Sequence, residues 1–344
     1  MKELVMAYQP FHSLFLLKIM KDTEGSNGMK IDRRFRLAWP FLALMAVILV
    51  DRLMPDHGFS YGTKYWIPVL LGVSAFYAVL AASSLKKENL QARMVHRAPL
   101  LTVIFLVICL LDLLTAKTSV LPLPYFPAPG QIFDVIITDW KMLLKSAAYS
   151  LRMLGVGYLI GASVGLVTGV LTGWSKRCSY WLSPLQRFIG PIPATAWIPI
   201  AMTVFPTSFT ASTFILALSV WFPVTVMTGS GIANTRRSYL EVAQTLGADK
   251  KYLIFRVAVP AALPNIFIGL FMGLGMSFVT LVTAEMLGVK AGLGWYIQWA
   301  EGWAEYRKVY ASLVLMAVIF STIITLLFKI RDKVLVWQKG LIKW

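Results

Sequence analysis

Charge is scarce in this 344-residue chain: Asp, Glu, Lys and Arg make up 14% of it, while 58% is hydrophobic. A water-soluble globule of this length cannot bury so much apolar surface, so lipid must be part of its solvent. Acidic residues are the scarcer sign, 16 against 33 Lys and Arg, for a net charge of +17. That excess does not indicate nucleic acid, because the basic residues lie between long apolar runs and form no single basic face. Cysteine is nearly absent. Cys109 lies in an apolar run and Cys178 in a basic loop, which excludes a disulfide framework and a cysteine metal site. Only three histidines occur, His12, His57 and His96, all outside the apolar runs, which argues against a proton relay and against a membrane-embedded enzyme. No G-x-x-x-x-G-K-[S/T] phosphate loop is present, so no nucleotide site and no cofactor are expected. A secretory signal is missing too. The first strong apolar run begins near Leu37 behind a basic segment and lacks a small-residue cleavage site, so the N-terminus is expected to be kept.

What is present is a series of runs long enough to cross a bilayer, for which about 20 apolar residues suffice. Eight are expected: 37–54, 65–84, 98–116, 146–174, 188–206, 211–231, 261–284 and 309–328. The first is cut short by Asp51 and Arg52, and the fifth is interrupted by Pro191, Pro193 and Pro199. Ahead of them, residues 1–36 form a tail whose apolar patch, Phe11 to Met20, is suited to a membrane surface. Translation from Met29 is an open alternative that would remove the patch.

Lys and Arg test this count independently, because cytoplasmic loops hold the excess of positive charge. With eight spans, 24 of the 33 fall on one side and eight on the other, with Arg152 inside a span. Both termini, including the tail 338–344, are thereby expected in the cytoplasm of a multi-pass protein of the cell membrane.

Within the fourth run, Gly157, Gly161, Gly165, Gly169 and Gly173 recur every four residues, a groove for close approach of another helix. Gly269 and Gly273 repeat the device. Arg152 and Glu285 are ionisable groups near or within spans, where facing lipid costs about 2.5–3.5 kcal/mol. They could pair, line a pathway or gate, or reach the interface. Asp112 is expected to reach water at the end of the third run.

Between the sixth and seventh runs, 238–260 reads as two short helices. Ser238 and Glu241 have capping-box spacing, Gly247 suits a left-handed helix end, Asp249 can cap a second helix, and Pro260 and Pro264 mark the next span. A loop that merely crossed a surface would not need two helices, so this one is suited to docking.

These residues resemble the EAA loop of binding-protein-dependent ABC transporter permeases. That pattern is Glu-Ala-Ala, a Gly six residues after the Glu, and Ile-x-Leu-Pro starting ten residues later. Here the places hold Glu241, Ala243, Gly247, Val257, Val259 and Pro260, with Val242 in place of the first Ala. The nitrate, sulfonate and taurine branch is the most similar, through Ser150-Leu151-Arg152, the proline-rich stretch Pro191 to Pro199, and Ala284-Glu285-Met286-Leu287-Gly288 followed by Gly292-Leu293-Gly294. The likeness covers residues 127–337.

It implies an all-α, MetI-like type I importer core over residues 98–337, preceded by two extra spans at 37–97. It further implies that Glu241 and Gly247, with Ala243, Asp249 and Pro260, couple to a separate ATPase subunit. A second permease copy and an external solute-binding protein are the other implied partners, and a small anion the implied solute. An ion-driven secondary transporter is the competing reading. It would show repeated halves and buried acids, for which only Glu285 and Asp112 are candidates.

Overall fold

A computed structural model describes residues 29–56, 63–84 and 88–338. The patch at Phe11 to Met20, His12, His57 and the tail beyond Gln338 lie outside these residues. Every regular element among them is helical. Six helices are long and apolar enough to cross a membrane: Trp66–Ser84, Leu90–Lys117, Trp140–Trp174, Ser208–Ala233, Lys250–Gly288 and Tyr306–Val334. By contacts the chain divides into two compact units, Met1–Asp134 and Val135–Trp344.

In the first unit, α1 (Met29–Leu53), α2 (Trp66–Ser84) and α3 (Glu88–Asp112) pack around Leu44, Val47, Trp66, Leu70 and Cys109. The third expected span, placed by sequence with the core, thus packs with the two extra ones. The helix expected first does form as α1, but Arg36, Asp51 and Arg52 keep it outside the six. The start of α2 is held by Asp134, whose carboxylate accepts from the backbone N–H groups of Lys64 and Tyr65 at 3.1 and 3.0 Å. A wide π turn, Leu113–Lys117, closes α3. It places Lys117, 4% exposed, with Nζ 2.6 Å from Asp56 Oδ1 and 3.6 Å from Asp51 Oδ1. Asp112 does not reach water as expected; the turn folds over it and it is 2% exposed.

After α4 (Pro129–Thr138), the second unit is built on α5 (Trp140–Trp174) and α8 (Ser208–Ala233). The glycines of α5 are the reason these two meet so closely. A Cβ on Gly157 would lie 2.6 Å from Leu216 Cβ, on Gly165 2.8 Å from Val224 Cβ, and on Gly169 2.5 Å from Thr228 Cβ. Gly161 abuts the Ala217 carbonyl and Gly173 the Gly229 carbonyl in the same way. Residue numbers rise together along the two helices, so α5 and α8 are parallel.

Two parallel spans require the chain to recross between them. That return is what became of the fifth expected span, which is not one continuous helix. Proline divides 188–206 among the last residues of α6 (Lys176–Ile189), a 3₁₀ turn (Ala194–Trp197) and α7 (Ile198–Val204). Its steps can be followed down α8: Gly173 lies at Ile232, Gly190 at Phe222, Ile198 and Ala201 beside Ala211 and Ile215, and the Phe205 ring packs tilted against Phe214. The remaining elements are α9 (Arg237–Thr245), α10 (Lys250–Tyr252), α11 (Val259–Gly288), α12 (Leu293–Gly302) and α13 (Tyr306–Val334). Gly269 and Gly273 let α11 approach the backbone of α8 at Pro223, Val224 and Val220.

Candidate functional site

Helix α9 starts without a capping box. Its N-cap is Arg236, in extended geometry and with no side-chain cap, so Ser238 falls inside the first turn instead of ahead of it. The hydroxyl is therefore two residues too late to cap, and Glu241 has no capping role. The Glu241 side chain is exposed, with no ion pair or hydrogen bond among the described residues.

The end of α9 is a Schellman motif. Ala248 N–H donates to the Ala243 carbonyl at 3.0 Å, and Gly247 N–H donates to the Gln244 carbonyl at 2.9 Å. Gly247 makes this possible with φ +84°, a left-handed conformation that glycine adopts without steric penalty. A Cβ built on it would touch nothing within 4 Å, so its surroundings are open. Asp249 then caps α10 by accepting from Tyr252 N–H at 2.8 Å. Ala243, Gly247 and Asp249 thus act in one rigid corner.

The corner borders a concave surface of about 660 Å³, lined by Tyr239, Val242, Leu246, Tyr252 and Arg256 among others. Leu246 is 83% exposed, the most exposed large apolar side chain in this loop. From α10 the backbone passes through a π turn, Leu253–Ala258, into α11 with no break. Pro260 explains the wide turn: it has no N–H to donate, and its ring would crowd the carbonyl four residues back.

The two ionisable candidates are not brought together. Arg152 is exposed on α5, its guanidinium 5.1 Å from the ring centre of Phe209. Glu285 is fully buried near the end of α11 and lines no open space. Its Oε2 accepts from Ser150 Oγ at 2.9 Å and from Gly294 N–H at 2.8 Å, while Ser150 Oγ accepts from Leu293 N–H at 2.9 Å. Three elements, α5, α11 and the start of α12, are tied at one carboxyl. Gly292, at φ +115°, and Gly294 leave the room it needs, since a Cβ on either would strike Glu285.

Ser150 and the two glycines were visible in the sequence as motif members but not as partners of Glu285. A second tie was not visible at all: the buried Tyr296 hydroxyl donates to Asp139 Oδ2 at 2.9 Å, with Lys308 Nζ 3.7 Å from the same oxygen. Burial, and then the bond to Asp139, push the Tyr296 hydroxyl pKa above its ordinary value.

Comparison with known proteins narrows what this arrangement belongs to. The chain is 31% identical over 175 residues to the nitrate import permease protein NrtB of Synechococcus elongatus, covering 51% of this chain and 62% of that one. It is 31% identical over 186 residues to SsuC of Bacillus subtilis, provisionally named as an aliphatic sulfonates transport permease, covering 53% and 64%. It is 32% identical over 159 residues to the bicarbonate transport system permease protein CmpB of Synechococcus elongatus, covering 46% and 57%. The matched region spans less than two thirds of each of these relatives. The family model for the binding-protein-dependent transport system inner membrane component matches residues 161–336, just over half of the chain and the stretch holding both the capped corner and Glu285, and the chain belongs to that family.

Proposed function

We propose that this chain is the membrane permease of an ATP-driven importer, working as two copies with two separate ATPase subunits and an external solute-binding protein. One observation carries the reading: the corner at Gly247 is fixed by a Schellman motif and a side-chain cap, and it runs unbroken into a spanning helix. A push on such an element is passed on as a rigid-body movement, whereas a flexible loop would absorb it. Glu241, Leu246 and Gly247 present the contact to the ATPase, and Ala243, Asp249 and Pro260 hold its shape.

The sequence carries no phosphate loop, so hydrolysis falls to the partner. Charge distribution supports a cytoplasmic position for 238–260 and for both termini, in the inner membrane of the cell. The residues before about 98 are extra to the six-span form. The solute is a small anion, in keeping with relatives named for nitrate, sulfonates and bicarbonate. Glu285 serves as a gating strut and not as a contact for the solute.

Gly247→Asp tests the coupling. Asp tolerates left-handed φ better than most residues, and the site is open, so the variant folds but sets a carboxylate where the partner must sit. Co-purification of the ATPase should be lost while the permease stays monodisperse. Retention of the ATPase at the wild-type ratio, or cysteine labelling that puts 238–258 outside the cell, defeats the proposal.

A further inference from the structure

The outer part of α5 carries three cations that the packing of the fold does not use. Lys141, Lys145 and Arg152 are separated by four and seven residues, so at about 100° per residue they lie within about 40° of arc on one face. The residues that bury α5 against its own unit, including Leu143, Ser150, Leu154 and Gly157, point the opposite way. The nearest acid in sequence, Asp139, is on that opposite side too, engaged by Tyr296 and Lys308.

All three cations are exposed, and none has a carboxylate partner among the described residues. Their contacts are with ring faces: Lys141 with Trp140 at 5.8 Å and Arg152 with Phe209 at 5.1 Å. Phe209 is the second residue of α8, so Arg152 sits level with the end of that span, and the lysines continue outward from it. This is the end of the spans that the positive-inside rule leaves poor in cations, which makes an unpaired row of three there an anomaly in need of a cause. A guanidinium at span depth must meet water or an anion, because lipid solvates it poorly.

From this we infer that the Lys141–Lys145–Arg152 stripe is an anion-gathering surface that draws a small oxyanion solute toward the outer mouth of the pathway. The inference rests on the proposed function for the outward orientation of this end, the anionic solute and the direction of movement. A row of like charges with no partner raises the local concentration of opposite charge and lowers that of like charge. Aromatic faces beneath Lys141 and Arg152 hold the cations in place without neutralising them, as a carboxylate would.

The test measures the field directly on the full-length permease. Ala148 is exposed and lies between Lys145 and Arg152 on the same face. Ala148→Cys, in a Cys178→Ser background that leaves only the buried Cys109, is reacted with methanethiosulfonates bearing a sulfonate or a trimethylammonium group. Rates are normalised to those of a small free thiol, in nanodiscs of phosphatidylcholine. Two neighbouring cations at water-like dielectric predict an anion-over-cation preference of about five- to tenfold at 0.1 M salt. Adding Lys145→Gln and Arg152→Gln should bring the ratio close to one. A ratio near one in the parent overturns the inference, and so does a preference for the cation. Failure of both reagents to react means a second copy covers the face, which also overturns it. If anionic lipid in the nanodisc abolishes the preference, the stripe is a headgroup site and the solute assignment fails. Because the permease is labelled without its ATPase, a negative Gly247→Asp result leaves this outcome readable.

Discussion

Gly161→Ala and Gly155→Ala place the same methyl group on the same helix with opposite expected results. At Gly161 the new Cβ runs into the Ala217 carbonyl and comes within 2.8 Å of Val220 Cβ, and a backbone oxygen cannot rotate away. The helices must part, and overpacking of this kind costs about 1–3 kcal/mol. At Gly155 nothing lies within 4 Å, so alanine adds only its better helix propensity, worth up to about 1 kcal/mol. The two variants should therefore differ by about 1–4 kcal/mol, with wild type between them. Purified protein heated in detergent and scored for the monodisperse fraction gives the ranking. Gly155→Ala should survive to a higher temperature than wild type and Gly161→Ala to a lower one. Equal survival would refute the close parallel packing of α5 on α8, and with it the need for a return crossing through 176–204.

Glu285→Ala strands the Ser150 hydroxyl and the Gly294 N–H and leaves a cavity, at a cost of about 2–5 kcal/mol, whereas Glu285→Gln keeps an acceptor and should lose about 1 kcal/mol; thermal survival of the two variants distinguishes them. Lys117→Met removes a buried cation from its bond with the exposed Asp56 in the first unit and should cost about 1.5–3 kcal/mol, with cysteine accessibility rising at the α3 end before the second unit loosens. The raised Tyr296 pKa gives stability that is present below the ordinary tyrosine value of 10.0 and is lost as pH climbs past it toward the folded pKa, and Tyr296→Phe should remove that alkaline loss in a melting series from pH 8 to 11.

Apolar run length exposed most of the spans in the sequence, because lipid imposes one dominant requirement on them. The glycine period exposed the tight face of α5 but not its partner, since small residues permit approach without selecting what approaches. The fifth span was misdrawn for a related reason. Proline marks where a helix must break, but the two pieces are placed only by contacts with Phe222, Ala211 and Phe214, which are distant in sequence. Gly247 and Asp249 were legible because caps are local. Ser238 was misread because the cap depends on the φ and ψ of Arg236, which residue type does not specify. The Glu285 tie joins residues 135 positions apart, beyond the reach of any local rule.

From Lys250 to Gly288 the chain is helical for 39 residues, with a π turn but no interruption. At about 1.5 Å per residue this is a rod of nearly 60 Å, longer than the bilayer core. Its near end is the capped corner and its far end carries Glu285, bonded to α5 and to the first turn of α12. Along the way Gly269 and Gly273 hold it against α8 at backbone distance, which resists bending but permits rotation about the contact. A displacement at Gly247 would therefore reach α12 through one covalent element and one carboxyl. On this geometry, and with the ATPase partner proposed above, Glu285→Ala should weaken the coupling of ATP hydrolysis to movement of α12 while leaving ATPase docking intact, and Gly247→Asp should abolish docking while leaving the tie intact. Spin labels on α12 and on α9, read with and without nucleotide, separate the two. If α12 followed nucleotide equally well in Glu285→Ala and wild type, the rod would not be the route.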